Sequence, residues 1–418
     1  MIRYVVRAGN PLAGRVQVSG ATKNAGLKLM AASLLAQGTT TLRNMSPVAD
    51  LDVMCELLRA IGAGTERDGD VVTVDTAGRL RPEAPYELVS RMRASFNVLG
   101  PLLARCGEAR VAMPGGDEIG SRKIDMHLRG LEQLGAQVHV EHGIIEARAD
   151  RLFGSRLVLE FPSVGATENL LTASVLAKGT TVIDNAAREP EITDLAAFLN
   201  RMGAHVVGAG TSTIEIEGVD ELLSVDCAVM GDRIEAGTLL MACGIAGGEI
   251  ELTGTSLEHL DVIALKLGEM GMRVSSSPDG VWARCDGRLR AVDVATLPYP
   301  GFATDFMPLA VALLAVADGT AIVTENVYDG RLQFVDELAR MGADVRTDGR
   351  HAIVRGVSRL SGAPVRAADV RAGAALTVAG LAADGETVVY GCQHVERGYH
   401  DLPATLRALG ADVQRIAD

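Results

Sequence analysis

Residues 114–128 read PGGDEIGSRKIDMHL and place Asp117, Arg122, Asp125 and His127 within eleven residues of one another, behind a Pro-Gly-Gly turn. Carboxylates can move protons and arginine can grip an anion, so this segment has the residue types for acid–base work on a charged substrate. A loop so rich in glycine and charge carries function more often than structure. On residue types alone, Asp117 reads as a solvated loop carboxylate.

Six candidate helix starts stand at regular places. They lie in KNAGLK (Lys23), RASFNV (Arg93), SVGATEN (Ser163), GDRIEAG (Gly231), TDFMPL (Thr304) and VRAGAAL (Arg371), each opening an apolar stretch. A helix start offers free N–H groups and partial positive charge, which suits phosphate and carboxylate. Ser163, Thr304 and Asp305 read as ordinary helix caps. Lys23, Arg93 and Arg371 do not, because a cation there opposes the dipole and calls for a compensating anion.

The elements that position these residues come from a repeat. Six helix-like stretches end in a glycine turn, at Gly62, Gly135, Gly203, Gly271, Gly342 and Gly410. A period near 70 residues is too long for a solenoid unit of about 20–50 residues. Residues 163–210 show one copy clearly. NLLTASVLAKG is apolar nearly all round and predicts a buried helix, stopped by Gly179. TTVIDN predicts a strand. EPEITDLAAFLNRMGA puts Leu195, Phe198, Leu199 and Met202 on one face and predicts a surface helix. AHVVGAG and STIEIEG predict two further strands. Six buried helices cannot share one small core, and the 418-residue chain is long for a single domain. The predicted fold is therefore α/β (α+β): a two-domain inverse α/β barrel of six βαβαββ-like units, three per domain, with helices inside and sheets outside. One domain is expected at 20–229, with a mobile loop at 112–123, and the other at 1–19 plus 230–418. Helix starts from facing bundles would converge on one cleft.

Composition narrows the partners. A net charge of −13 argues against nucleic acid or an anionic membrane, and 3% aromatics leaves few stacking platforms. With no long apolar run and no signal peptide, a cytoplasmic chain is expected. Six scattered cysteines without CxxC spacing predict buried thiols, and the histidines form no HExxH pattern, so neither metal nor cofactor is expected. Neither a Walker motif nor GxGxxG is present.

The motifs ATKNAGLKLMAASLLA, MRASFNVLGPLLAR, the 114–128 loop, FPSVGATEN, NAAREPEITDL, GDRIEAGT, GFATDF, ADVRAGA and HVERGY together resemble the UDP-N-acetylglucosamine 1-carboxyvinyltransferase family over nearly the whole chain. The resemblance implies transfer of the enolpyruvyl group of phosphoenolpyruvate to the 3′-hydroxyl of UDP-N-acetylglucosamine through a tetrahedral ketal, in peptidoglycan precursor synthesis. Carried over motif by motif, Lys23 contacts the phosphate and Asn24 the sugar. Arg122 and Arg397 clamp phosphoenolpyruvate, with Arg93 as a further phosphate contact. Arg331 and Arg371 hold the carboxylate region and the closed state. Asp305 is the base for the sugar hydroxyl, beside Thr304, and Asp369 lies near the reacting centre. Arg122, Lys123, Ile124, Asp125, Met126, His127 and Leu128 take the uracil, and Ser163, Val164 and Gly165 the diphosphate. Val327 and Tyr328 complete the substrate contacts.

Three positions depart from the family pattern. Asp117 stands where most members carry cysteine, the residue that the epoxide antibiotic fosfomycin alkylates; in the family frame it is the general acid at the methylene carbon. To keep its proton at pH 7 it would need a pKa raised from about 3.9 to about 7. Lys123 replaces a common proline, and Phe161 stands where some relatives have lysine. Rival readings are a sister enzyme acting on shikimate 3-phosphate or a bare uridine nucleotide, and a non-catalytic ligand sensor on the same fold.

Overall fold

The protein is described by a computed structural model covering residues 2–20, 23–117 and 119–417. Its α-carbons group into two units. Unit one is Met1–Ser19, Glu118–Arg122 and Gly231–Asp418; unit two is Gly20–Asp117 and Lys123–Met230. Each has its own apolar core.

The core of unit one is built on three helices, Arg233–Ala246, Met307–Leu314 and Val370–Gly380, which pack on one another. All eleven residues of the last are buried. Ala, Leu, Val and Met on every side leave no face for water, so such a helix is stable only inside. Each Leu or Val taken out of water contributes about 1.5–3 kcal/mol. Asp232 caps the first helix by accepting from the N–H groups of Ile234 and Glu235, at 2.7 and 3.1 Å. Gly237 lets the Phe306 ring lie against that helix, since a Cβ there would fall 2.2 Å from a ring carbon. Unit two repeats the plan with Gly26–Ala32, Leu99–Cys106 and Val164–Ser174. Gly100 allows the close crossing of the last two: a Cβ would stand 2.3 Å from the Asn169 carbonyl oxygen.

Among the described residues the strands form six four-stranded sheets and one two-stranded pair. In the copy at 163–210, Thr180–Asp184 runs parallel to Arg156–Val158 and antiparallel to Thr213–Glu217, which pairs in turn with His205–Val207. Alternating burial, as in Thr213–Glu217, turns one face of each strand toward the helices. The buried helix of this copy ends earlier than its composition suggests. It stops at Ser174, and Gly179 (φ +92°) serves instead the turn into Thr180–Asp184. The six turn glycines all take left-handed φ, between 82° and 109°, where a Cβ is disfavoured.

The N-terminal segment forms two strands of unit one. Ile2–Arg7 stands between Glu386–Tyr390 and Asp412–Ala417, and Leu12–Gln17 pairs with Gly248–Thr253. The last strand before Gly231, Asp226–Ala228, pairs with Thr39–Arg43 in unit two. Apart from the short stretch Glu118–Arg122, the chain thus passes between units twice, at 19–20 and 230–231. No helix among the described residues is long and apolar enough to cross a membrane.

Candidate active site

In unit one the starts of two buried helices, Met307–Leu314 and Val370–Gly380, meet at a carboxylate. The short 3-10 turn Thr304–Phe306 opens into Met307–Leu314, with Ala303 at its cap position. Asp305 Oδ1 accepts instead from Arg331 Nη2 at 2.7 Å, and its Oδ2 lies 3.5 Å from Arg371 Nη2. Arg331 also donates from Nη1 to the Thr304 hydroxyl at 2.9 Å. The capping interpretation of Thr304 and Asp305 is therefore replaced by one in which a guanidinium pair holds the carboxylate. Both arginines are about 5% exposed, so their charges are matched inside the protein. Arg371 stacks over Tyr399, whose hydroxyl pairs with Thr238. Burial alone would lower its pKa; the charges of Tyr399, Asp305 and Asp232 outweigh burial and raise it. Arg331 Nε and Arg371 Nη1 are buried with no hydrogen-bond partner among the described residues.

Asp369 does act as a cap. Its Oδ1 accepts from the backbone N–H groups of Arg371 and Ala372, at 2.8 and 3.0 Å. Arg397 closes the 3-10 turn Val395–Arg397 and is half-buried in the same unit. The Val327 and Tyr328 N–H groups point into the carboxylate of Glu325.

Unit two holds most of the other predicted residues. Lys23 precedes Gly26–Ala32, and its ammonium lies 3.4 Å from Asp117 and 3.8 Å from buried Asp50. The compensation expected at this helix start is thus supplied by protein carboxylates. Arg93 opens a 3-10 turn before Leu99–Cys106 and reaches the Pro114 carbonyl oxygen at 3.5 Å. Asn24 is half-buried beside Lys23. Ser163 caps Val164–Ser174, accepting from Ala166 N–H at 3.3 Å, so its capping role holds.

The predicted uracil segment lies against that helix start. Ile124 precedes the helix Asp125–Gln133, while Met126, Leu128 and Val164 pack partly on the core. Asp125 pairs with Arg129 at 3.6 Å, and Lys123 is exposed. His127 is buried, edge-on to Phe96, and a Cβ on Gly165 would stand 3.2 Å from its ring. Asn169 takes the Gly100 N–H on its oxygen and therefore turns its amide N–H to His127 Nδ1, at 3.1 Å. That leaves the imidazole proton on Nε2. Burial, with Arg93 and Lys28 nearby, pushes the His127 pKa down to about 3, so the ring is neutral. A buried triad supports this face: Lys28 and Asn97 both donate to Glu168, at 2.5 and 2.7 Å.

Of the loop expected at 112–123, Glu118 lies outside the described residues. Half-buried Arg122 and its preceding turn group with unit one. Gly120 (φ +112°) sits so close to Asp329 that a Cβ would fall 1.9 Å from its carboxylate, which also accepts from Ser121 N–H at 3.1 Å. A cavity of about 880 Å³ in unit one, lined by Gly244–Gly248 and Arg288, contains none of these residues.

A family model of EPSP synthase (3-phosphoshikimate 1-carboxyvinyltransferase) matches residues 6–406. A UDP-N-acetylglucosamine 1-carboxyvinyltransferase of Corynebacterium jeikeium is 51% identical over 99% of both chains, and one of Mycobacterium tuberculosis is 50% identical at similar coverage. The chain belongs to the UDP-N-acetylglucosamine 1-carboxyvinyltransferases of the EPSP synthase family. It is an enzyme chain with that family's fold. The enolpyruvyl transferase NikO of Streptomyces tendae superposes at TM-score 0.89 with 28% identity, covering 100% of this chain and 99% of its own. An EPSP synthase of Acinetobacter baumannii shares the fold at TM-score 0.74 and 18% identity, over 100% of both chains.

Some residues of this enolpyruvyl transferase escape a reading of the sequence: Glu325, Asp50 and Asp329. Each acts through a neighbour rather than through a motif of its own. Only Glu325 has a local signal, a carboxylate ending the apolar strand Thr320–Thr324.

Proposed function

We propose that this protein transfers the enolpyruvyl group of phosphoenolpyruvate to the 3′-hydroxyl of UDP-N-acetylglucosamine and releases phosphate, as a soluble cytoplasmic step in peptidoglycan precursor synthesis. The observation that carries this reading is Asp305, held between Arg331 and Arg371 where two buried helix starts meet. Relatives about 50% identical over the full length bear the name of that activity.

The chemistry divides among the residues. The sugar hydroxyl attacks C2 of phosphoenolpyruvate while its proton passes to Asp305, and C3 takes up a proton. The resulting ketal then loses phosphate and a C3 proton, leaving an enol ether. A carboxylate flanked by two guanidiniums is a weak base at rest, so it takes the proton as the hydroxyl becomes acidic in the attack. Lys23, Arg93, Arg122 and Arg397 neutralise phosphate and carboxylate, arginine by two-point contacts. Asn24, Thr304, Val327 and Tyr328 position the sugar. The segment Lys123–Leu128 takes the uracil, and the helix start Ser163–Gly165 the diphosphate. Asp369 fixes the helix that carries Arg371 and faces the reacting centre.

Asp117 is the proton donor to C3 in this scheme. Its carboxylate lies 3.4 Å from the Lys23 ammonium, and an incoming phosphate competes with it for that cation. A carboxylate is a poor nucleophile toward an epoxide, so the enzyme resists fosfomycin. Incubation with fosfomycin leaves the protein mass unchanged, whereas Asp117→Cys acquires a covalent adduct; an adduct on Asp117 itself would refute this.

The deciding assay measures phosphate release from phosphoenolpyruvate with UDP-N-acetylglucosamine, shikimate 3-phosphate or UMP as acceptor. Release with the first alone is expected, and none with it overturns the assignment.

A further inference from the structure

Glu325 lies just past the strand Thr320–Thr324, only 1% exposed, with no cation bonded to it among the described residues. Four donors satisfy it. Oε1 accepts from the Thr296 hydroxyl at 2.9 Å and from the N–H groups of Val327 and Tyr328 at 2.7 and 3.0 Å. Oε2 accepts from the Thr304 hydroxyl at 2.9 Å. An ionised carboxylate only accepts, so it suits four donors; an amide of the same shape does not.

The direction of the next bond is forced. Thr304 has one hydroxyl hydrogen, and it goes to Glu325. Arg331 cannot accept, so Thr304 offers Arg331 Nη1 a lone pair, at 2.9 Å. Arg331 is thereby fixed with Nη2 on Asp305, at 2.7 Å. Replacing Glu325 by Gln would put an amide N–H against Thr304, turn its hydrogen away, and loosen Arg331 and Asp305 together.

Resting on the reading of Asp305 as the base, we propose that Glu325 is a positioning residue for the transfer: through Thr304 and Arg331 it orients Asp305, and through two backbone N–H groups it sets the Val327–Tyr328 segment. Nothing in the sugar or in phosphoenolpyruvate needs to touch it.

The test is a double-mutant cycle in the full chain. Glu325→Gln is expected to lower kcat about 30-fold, less than the 10²–10⁴-fold that a well-placed general base supplies, while both KM values move by less than about 3-fold. Thr304→Val should cut the same relay, and the double variant should be little worse than Thr304→Val alone. Additive losses, or a Glu325→Gln enzyme of wild-type kcat, overturn the proposal. If Glu325→Gln does not fold, Glu325→Asp keeps the charge, shortens the reach and is expected to lose about 10-fold in kcat; a fully active Glu325→Asp overturns the relay. Carbon-13 NMR of the Asp305 carboxyl in the substrate-free protein reads the relay without turnover. Its resonance shifts in Glu325→Gln if the relay operates and stays put if it does not. A wild type that releases no phosphate would sink the assigned activity, while this resonance would still decide the relay.

Discussion

In the proposed reaction Asp305 carries two loads: it receives a proton, and it is an anion paired with two buried guanidiniums. Removing its charge therefore disturbs more than the proton transfer. Asp305→Asn is expected to lower kcat by about 10²–10⁴-fold, with a smaller change in KM, in steady-state phosphate release. It should also cost about 3–5 kcal/mol in urea unfolding, because the buried Arg331 and Arg371 lose the carboxylate they share. Glu235 shows the opposite situation, a buried carboxylate with no cation bonded to it among the described residues. Burial pushes its pKa up to about 8, Asp232 adds to the rise, and the Ser19 N–H that it accepts opposes it. The native state then keeps a proton that the unfolded chain releases near 4.5, so stability falls as pH rises from about 4.5 to 8. Glu235→Gln should thus stabilise the protein at pH 8, by on the order of 3 kcal/mol, and hardly at all at pH 4.5. Thermal melts at the two pH values check this; an equal effect at both refutes it.

The glycine turns are where element and sequence agree most directly. Gly203 and Gly410 each have left-handed φ and no atom within 4 Å of where a methyl would stand, so alanine there meets only backbone strain. Each Gly→Ala change is expected to cost about 1–2 kcal/mol. Gly62→Ala should cost more, since its Cβ would also meet the Arg79 carbonyl oxygen at 3.1 Å. Chemical unfolding of the three variants checks the order. These elements are legible because a repeat prints its own punctuation: an apolar run, a glycine, an amphipathic run, another glycine. The buried helix starts are legible for the same reason, and with them Lys23, Arg93, Ser163, Thr304 and Arg371. What stays hidden is pairing. Asp305 has the sequence context of a helix cap, and nothing local says that it turns to Arg331, which lies 26 residues on. Gly179 misleads because a glycine after an apolar run signals a helix end equally well as a turn into a strand.

At the scale of the whole molecule, the described residues form two cores, each with three buried helices and three four-stranded sheets. Two separate apolar clusters predict two cooperative transitions, each cluster being lost as a unit. Two substitutions address one core each. Gly100→Ala drives a methyl into the Asn169 carbonyl at the crossing of Leu99–Cys106 with Val164–Ser174, in unit two. Gly237→Ala drives one into the Phe306 ring, in unit one. Overpacking of this kind costs about 1–3 kcal/mol, and more where the obstacle is backbone. Differential scanning calorimetry of the wild type should resolve two transitions, or one asymmetric envelope that fits two. Gly100→Ala should lower one component by several degrees and leave the other in place, and Gly237→Ala should do the reverse. If both variants shift a single symmetric peak, the two cores unfold as one, and the repeats are coupled more strongly than their separate apolar clusters imply.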